Sequence, residues 1–218
     1  VHFLRCVHAE WILVRPRLVR TRYGALLLLL TLTLVSLHGR GLDPPGASLL
    51  GGALAAIIGV SFGVGSDRAA FTTALTHPIS PLAIASGRWL AAFVPAVVVV
   101  LTCAAATERS VVAAGAGMTS AAAVAGCALA AVLAVGNGAA AALFLFMAIA
   151  GSMPPERLVA FAHPGVLRVA AASALELGPA LWHYRDVARG DASAVLHGVA
   201  WAGLGILLAS GVIARRRR

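Results

Sequence analysis

Two stretches of this chain combine residue types and spacing that could do chemistry. Gly59-Val60-Ser61-Phe62-Gly63 has the Gly-x-Ser-x-Gly spacing of a hydrolase nucleophile, and the polar run Ser66–Pro81 brings together Asp67, Arg68 and His77. A nucleophilic serine of the first kind needs a sharp turn from strand to helix, with an acid and a histidine as partners. Ser61 instead lies within an apolar run from about Ala47 to Val64. The same residues also spell Gly-x-x-x-Gly, in which Gly59 and Gly63 let two membrane helices approach closely, and close packing is the better reading.

The polar run has its own internal order. Ser66 or Asp67 suits a helix N-cap, and the Asp67 carboxylate favours the positive end of the helix dipole. Phe71, Ala74, Leu75 and Pro78 recur at three- and four-residue spacing, giving one apolar stripe. His77-Pro78 then stops the helix, because the residue before proline is pushed out of helical geometry. The spacing predicts a short amphipathic helix over about 66–78, lying on a bilayer surface. An ordinary solvated loop between two spans is the alternative.

Other chemistry finds little support. The seven histidines include no His-x-x-x-His pair, so the sequence points to no metal site. The three cysteines, Cys6, Cys103 and Cys127, lie far apart and read as small buried side chains. His183-Tyr184-Arg185-Asp186 could meet a headgroup, although an interfacial segment with snorkelling polar tips explains it better. There is no lysine, and hence no Gly-x-x-x-x-Gly-Lys phosphate loop. The chain cannot bind ATP by that route.

The elements that must hold these residues are membrane helices. Of the 218 residues 60% are hydrophobic and 11% charged, against roughly 25% charged in a soluble domain, and the mean hydropathy is +0.92. That length admits about five to seven spans of about 20 residues. A net charge of +9 would suggest nucleic acid in a soluble protein. Here the arginines cluster at the ends of apolar runs, where anionic lipid headgroups explain them. Arg5 to Arg22 form a basic stretch before a first apolar run that lacks a small-residue cleavage site, so it reads as a retained span.

Six spans are expected, over about 23–37, 47–64, 82–106, 111–135, 139–152 and 194–214. Two charges and two prolines interrupt 158–182, and a charge at mid-bilayer costs about 2.5–3.5 kcal/mol. The region 154–191 is therefore expected to dip into the outer interface without crossing. Placing both termini in the cytoplasm puts Arg5, Arg15, Arg17, Arg20, Arg22, Arg68, Arg88 and Arg215–Arg218 on the inner side. Most of the remaining arginines lie near carboxylates, so the positive-inside rule favours this orientation.

The order of Asp67-Arg68, a short helix ending at Leu75, the Pro78-Ile79-Ser80 step and Gly87-Arg88 opening a span resembles the ABC type-2 transporter permease family. Such permeases commonly show an acidic-basic start, a leucine-containing helix, a Pro-x-Ser turn and a Gly-Lys pair, for which Arg88 would supply the arginine counterpart. The glycine often found early in that helix is replaced here by Ala69 or Ala70. The resemblance implies an all-α polytopic membrane protein of six spans. A cytoplasmic coupling helix would lie between the second and third, and a re-entrant outer segment before the sixth. It implies a multi-pass subunit of the inner (plasma) membrane, with no cofactor of its own and with ATP bound by a separate ATP-binding subunit. A second permease copy or paralogue would complete a dimer, and transport would be export. Asp67, Arg68, Phe71, Leu75, His77 and Pro78 would contact the ATPase. A non-transport scaffold or assembly protein is the rival expectation. An intramembrane enzyme is disfavoured, because ionisable groups are scarce within the spans.

Overall fold

The structure, a computed structural model, describes residues 2–20, 23–64, 79–107, 110–146 and 178–217. Every regular element among them is helical: α1 (His2–Arg20), α2 (Tyr23–His38), α3 (Pro44–Ile58), a π-helical turn (Gly59–Val64), α4 (Pro81–Ala106), α5 (Val111–Ala134), α6 (Asn137–Phe146), α7 (Leu181–Tyr184), a 3-10 turn (Arg185–Arg189) and α8 (Ala192–Arg216). Among the described residues four stretches are long and apolar enough to cross a bilayer: Pro44–Phe62, Pro81–Ala106, Val111–Ala134 and Ala192–Arg216. α2 is apolar but shorter, at 16 residues.

Local chemistry sets the helix ends. Asp43 precedes Pro44 and Pro45, which occupy the first positions of α3, where a missing N–H costs nothing. Ser80 and Ser110 cap α4 and α5 by accepting from the backbone N–H of Ala83 and Ala113. Gly41 and Gly136 leave α2 and α5 with φ of 106° and 115°, a left-handed geometry that glycine adopts without strain. Within the helices, the hydroxyls of Thr31, Thr33, Ser36 and Thr102 each donate to the carbonyl four residues back, at 2.8 Å. Polar groups are thereby satisfied inside the helix itself, as lipid demands.

α5 is the hub, packed between α3 and α8. The buried side of α8 is Ala194, Gly198, Ala202, Gly205, Ala209 and Ile213, a stripe at helical spacing made mostly of small residues. Its large apolar residues point outward instead, with Leu196 69% and Leu207 61% exposed. Small residues inside and leucines outside are the arrangement of a helix whose solvent is lipid. The helices are those of a membrane-embedded protein.

Close approach follows from the glycines. Gly205 faces Gly126 so tightly that a Cβ would strike the Gly126 backbone, and Gly52 meets Gly117 in the same way. Ser120 Oγ ties the second seam further by donating to Leu49 O at 3.1 Å.

The contacts sort the helix ends into two sets. One end gathers the π-helical turn, the start of α4, the end of α5 and the end of α8. Arg216 there donates to Leu133 O at 2.6 Å, and Arg217 donates to Ile79 O. The opposite end gathers the start of α3 and the α7–α8 turn, where Arg185 meets Asp43 at 2.7 Å.

Candidate functional site

The expected ATPase-contact residues Asp67, Arg68, Phe71, Leu75, His77 and Pro78 lie outside the described residues. The described residues include the two elements that flank that segment, and their geometry is specific.

On the upstream side the chain leaves α3 through the π-helical turn Gly59–Val64. Ser61 therefore stands on a helix, in a setting different from the strand-to-helix elbow of a serine hydrolase. A Cβ at Gly59 would come within 2.8 Å of the Tyr23 hydroxyl and 3.1 Å of Ala92 Cα, so α2 and α4 both close on this point. Gly63 continues the same turn. A π-helical turn widens the hydrogen-bonded ring by one residue and is found mostly as a local feature of functional helices.

On the downstream side α4 starts at Pro81 behind the Ser80 cap and soon reaches Gly87-Arg88. Both residues face α1, whose inward face is Cys6, Val7, Glu10 and Trp11. The absent side chain of Gly87 is what admits that helix, since a Cβ there would lie 2.5 Å from Glu10 Cβ and 3.0 Å from Val7 O. Arg88 then meets Glu10 with Nε 3.7 Å from Oε2, the side chains being only 5% and 3% exposed. Charges buried this deeply persist only when paired. One residue further, Trp89 Nε1 donates to Ala122 O at 3.1 Å, and its ring stacks on Phe93 at 4.7 Å between centroids. The first turns of α4 are thus fixed to α1 by charge and to α5 by the indole.

The role of Glu10 is not apparent from the basic run around it. The one available signal is that Glu10 is the only carboxylate before Asp43 in a stretch crowded with arginine. Arg216 and Arg217, expected as headgroup anchors, reach back to carbonyls of the helix ends instead. A cavity of about 450 Å³ opens beside the junction, lined by Trp11, Tyr23, Leu27, Val94, Pro95 and Val98 among others.

The opposite end carries the other polar cluster. Asp186 holds Arg189 at 2.8 Å and lies 3.9 Å from His183 Nδ1. Asp191 caps α8, accepting from Ser193 N at 2.8 Å. The hydrogen bonds from Ser193 hold the Asp191 carboxyl below the usual aspartate range. His183, Asp186 and Asp191 present ligand atoms within 4.8 Å of one another, so this is where a cation could be held. Both carboxylates already serve the local fold, Asp186 as a partner of Arg189 and Asp191 as a cap.

Compared with protein-family models, curated proteins and solved structures, the chain matches none.

Proposed function

We propose that this chain is the membrane-spanning subunit of a transporter powered by a separate ATP-binding subunit, of the kind found in ABC type-2 permeases, and that it exports its substrate. The observation carrying this reading is the convergence on one end of the molecule. Segment 65–78 leaves from a π-helical turn and returns into α4, whose first turns are fixed by the Glu10–Arg88 pair, by Trp89 and, at Ile79, by Arg217. A partner pressing on that segment would act on α3 and α4 together, which is what coupling ATP binding to a membrane path requires.

The charge distribution supports placing this end in the cytoplasm. It holds Arg88, Arg215, Arg216 and Arg217 and is joined by the arginine-rich α1. At the opposite end Asp43, Asp186 and Asp191 stand close in sequence or space to Arg40, Arg185 and Arg189. An excess of arginine marks the cytoplasmic side. The path of the chain supports six spans as well. It leaves α5 at the arginine-rich end and enters α8 at the opposite one, as a layout in which α6 opens the fifth span would require.

The direct test is co-purification with an ATP-binding cassette protein encoded beside this chain. Phe71→Asp and Leu75→Asp should each abolish association by removing the apolar anchors of the contact. Association that survives both changes together would sink the coupling assignment and favour a scaffold.

A further inference from the structure

A second cavity, of about 670 Å³, lies between α5, α6 and the second half of α8, at the arginine-rich end. Its walls include Ala134, Leu143, Phe146, Leu204 and Leu208, and Arg215 stands at its edge. That volume falls within the roughly 300–1,000 Å³ usual for small-molecule sites. Walls of this chemistry offer water almost nothing to bond, and two of the lining residues, Leu207 and Leu208, are also exposed on the outer surface of the helix. The occupant must be apolar over most of its length.

Among the described residues that line the cavity, one is a cation, Arg215, and it defines the polar end of that occupant. Arg216 and Arg217 are engaged by the carbonyls of Leu133 and Ile79. Arg215 is exposed, and its side chain makes no hydrogen bond or ion pair among the described residues. Its guanidinium sits where the apolar cavity meets the arginine-rich surface, the layout of a basic pocket between membrane helices that receives an anionic headgroup.

We infer that this cavity is a site for an anionic phospholipid, one acyl chain lying between α5, α6 and α8 and the headgroup phosphate on Arg215. The site seats a lipid of the arginine-side leaflet and stabilises the α5–α8 pairing beside it. This inference needs only that the chain is membrane-embedded, and it stands or falls separately from transport.

The test uses the full chain in dodecyl maltoside, titrated with dioleoylphosphatidylglycerol or dioleoylphosphatidylcholine. Thermal unfolding and the lipid retained in native mass spectrometry are both read. Saturating phosphatidylglycerol should raise the midpoint by about 5 °C or more above phosphatidylcholine. Arg215→Gln should erase the difference between the two lipids. Gly211→Phe should erase the shift with either lipid, because a Cβ at Gly211, on the cavity wall, meets nothing within 4 Å and its ring can fill the space. Equal shifts with both lipids in the unaltered chain would overturn the proposal, as would a phosphatidylglycerol preference that survives Arg215→Gln. A midpoint that follows protein concentration and ignores lipid would place a second copy on this face and overturn it equally. If Gly211→Phe does not fold, the lipid retained by Arg215→Gln decides alone.

Discussion

The seams around α5 and the junction between α1 and α4 both bury helix surface, with opposite chemistry. Along α5 the contact points are Gly52 with Gly117 and Gly126 with Gly205, backbone against backbone with no charge involved. At the junction a single glycine, Gly87, admits α1, and the contact that follows is an ion pair between Glu10 and Arg88. Lipid explains the contrast. Apolar side chains gain nothing by leaving lipid for one another, so helices that must stay together rely on close approach and dispersion. A buried pair is held differently: each charge is tolerable only because the other is present. The α5 seams therefore spread their stability over many small contacts, whereas the α1 junction concentrates charge at Glu10 and Arg88.

The largest effect should come from splitting the pair. Arg88→Met alone is expected to destabilise the chain by about 3–5 kcal/mol, because it breaks the Glu10–Arg88 pair in a buried setting. The double variant Glu10→Met/Arg88→Met should recover most of that loss, read as a return of the thermal midpoint. A double variant as unstable as the single one would break the comparison by showing that charge does not hold the junction.

Next in size, Gly205→Leu should cost about 2–3 kcal/mol by overpacking the Gly126 backbone. Gly203→Leu, on the same helix, should be close to neutral, because a Cβ there meets nothing within 4 Å. Helix propensity favours leucine over glycine at both positions, so equal losses would mean that close approach to Gly126 does not set the effect.

The exposed pairs sharpen the contrast from the other side. Asp43→Asn removes the partner of Arg185 in a pair whose side chains are 39% and 56% exposed. Its cost should not exceed about 1 kcal/mol and should shrink further in high salt. A cost approaching that of Arg88→Met would mean that burial does not separate the two ends.

Asp191 should give the smallest signal. Its carboxyl is held below the usual aspartate range by Ser193. A lowered folded-state value makes its contribution fully present above the ordinary aspartate value of about 3.9, and lost as pH falls through the folded value. Amide exchange at Ser193 and Ala194 should therefore quicken on strong acidification. Asp191→Asn, which keeps a capping oxygen, should flatten that dependence. An unchanged dependence in Asp191→Asn would assign the titration to another group.

The helices themselves were legible in the sequence wherever caps and apolar length coincide. The span expected from about 82 begins at Pro81 because Ser80 is a good cap, and the span ending near 135 stops at Gly136, which supplies the left-handed turn. The second span begins earlier than expected because Pro44 and Pro45 belong to the first turn of α3 and do not stand in front of it. α1 was not legible as a helix that packs, because its inward face mixes Val7 with Glu10 and matches no apolar stripe. The glycine contacts were hidden for a different reason. Gly126 and Gly205 are far apart in the chain, and which faces of two helices meet depends on how they are rotated in the bundle, a property that neither sequence carries alone. The polar run of 66–78 was the most legible functional signal, and its reading still rests on residue pattern.

Gly126 also has a meaning in time. Chains are made and inserted from the N-terminal side, so α5 enters the bilayer with α3 already present to receive Gly117, while the partner of Gly126 follows only with α8. Until then one side of α5 is seated and the other is an open groove for a small-residue helix. During biogenesis that groove is the place where a wrong helix, from this chain or another, would be captured. Correct assembly consequently depends on α8 arriving before a competitor does.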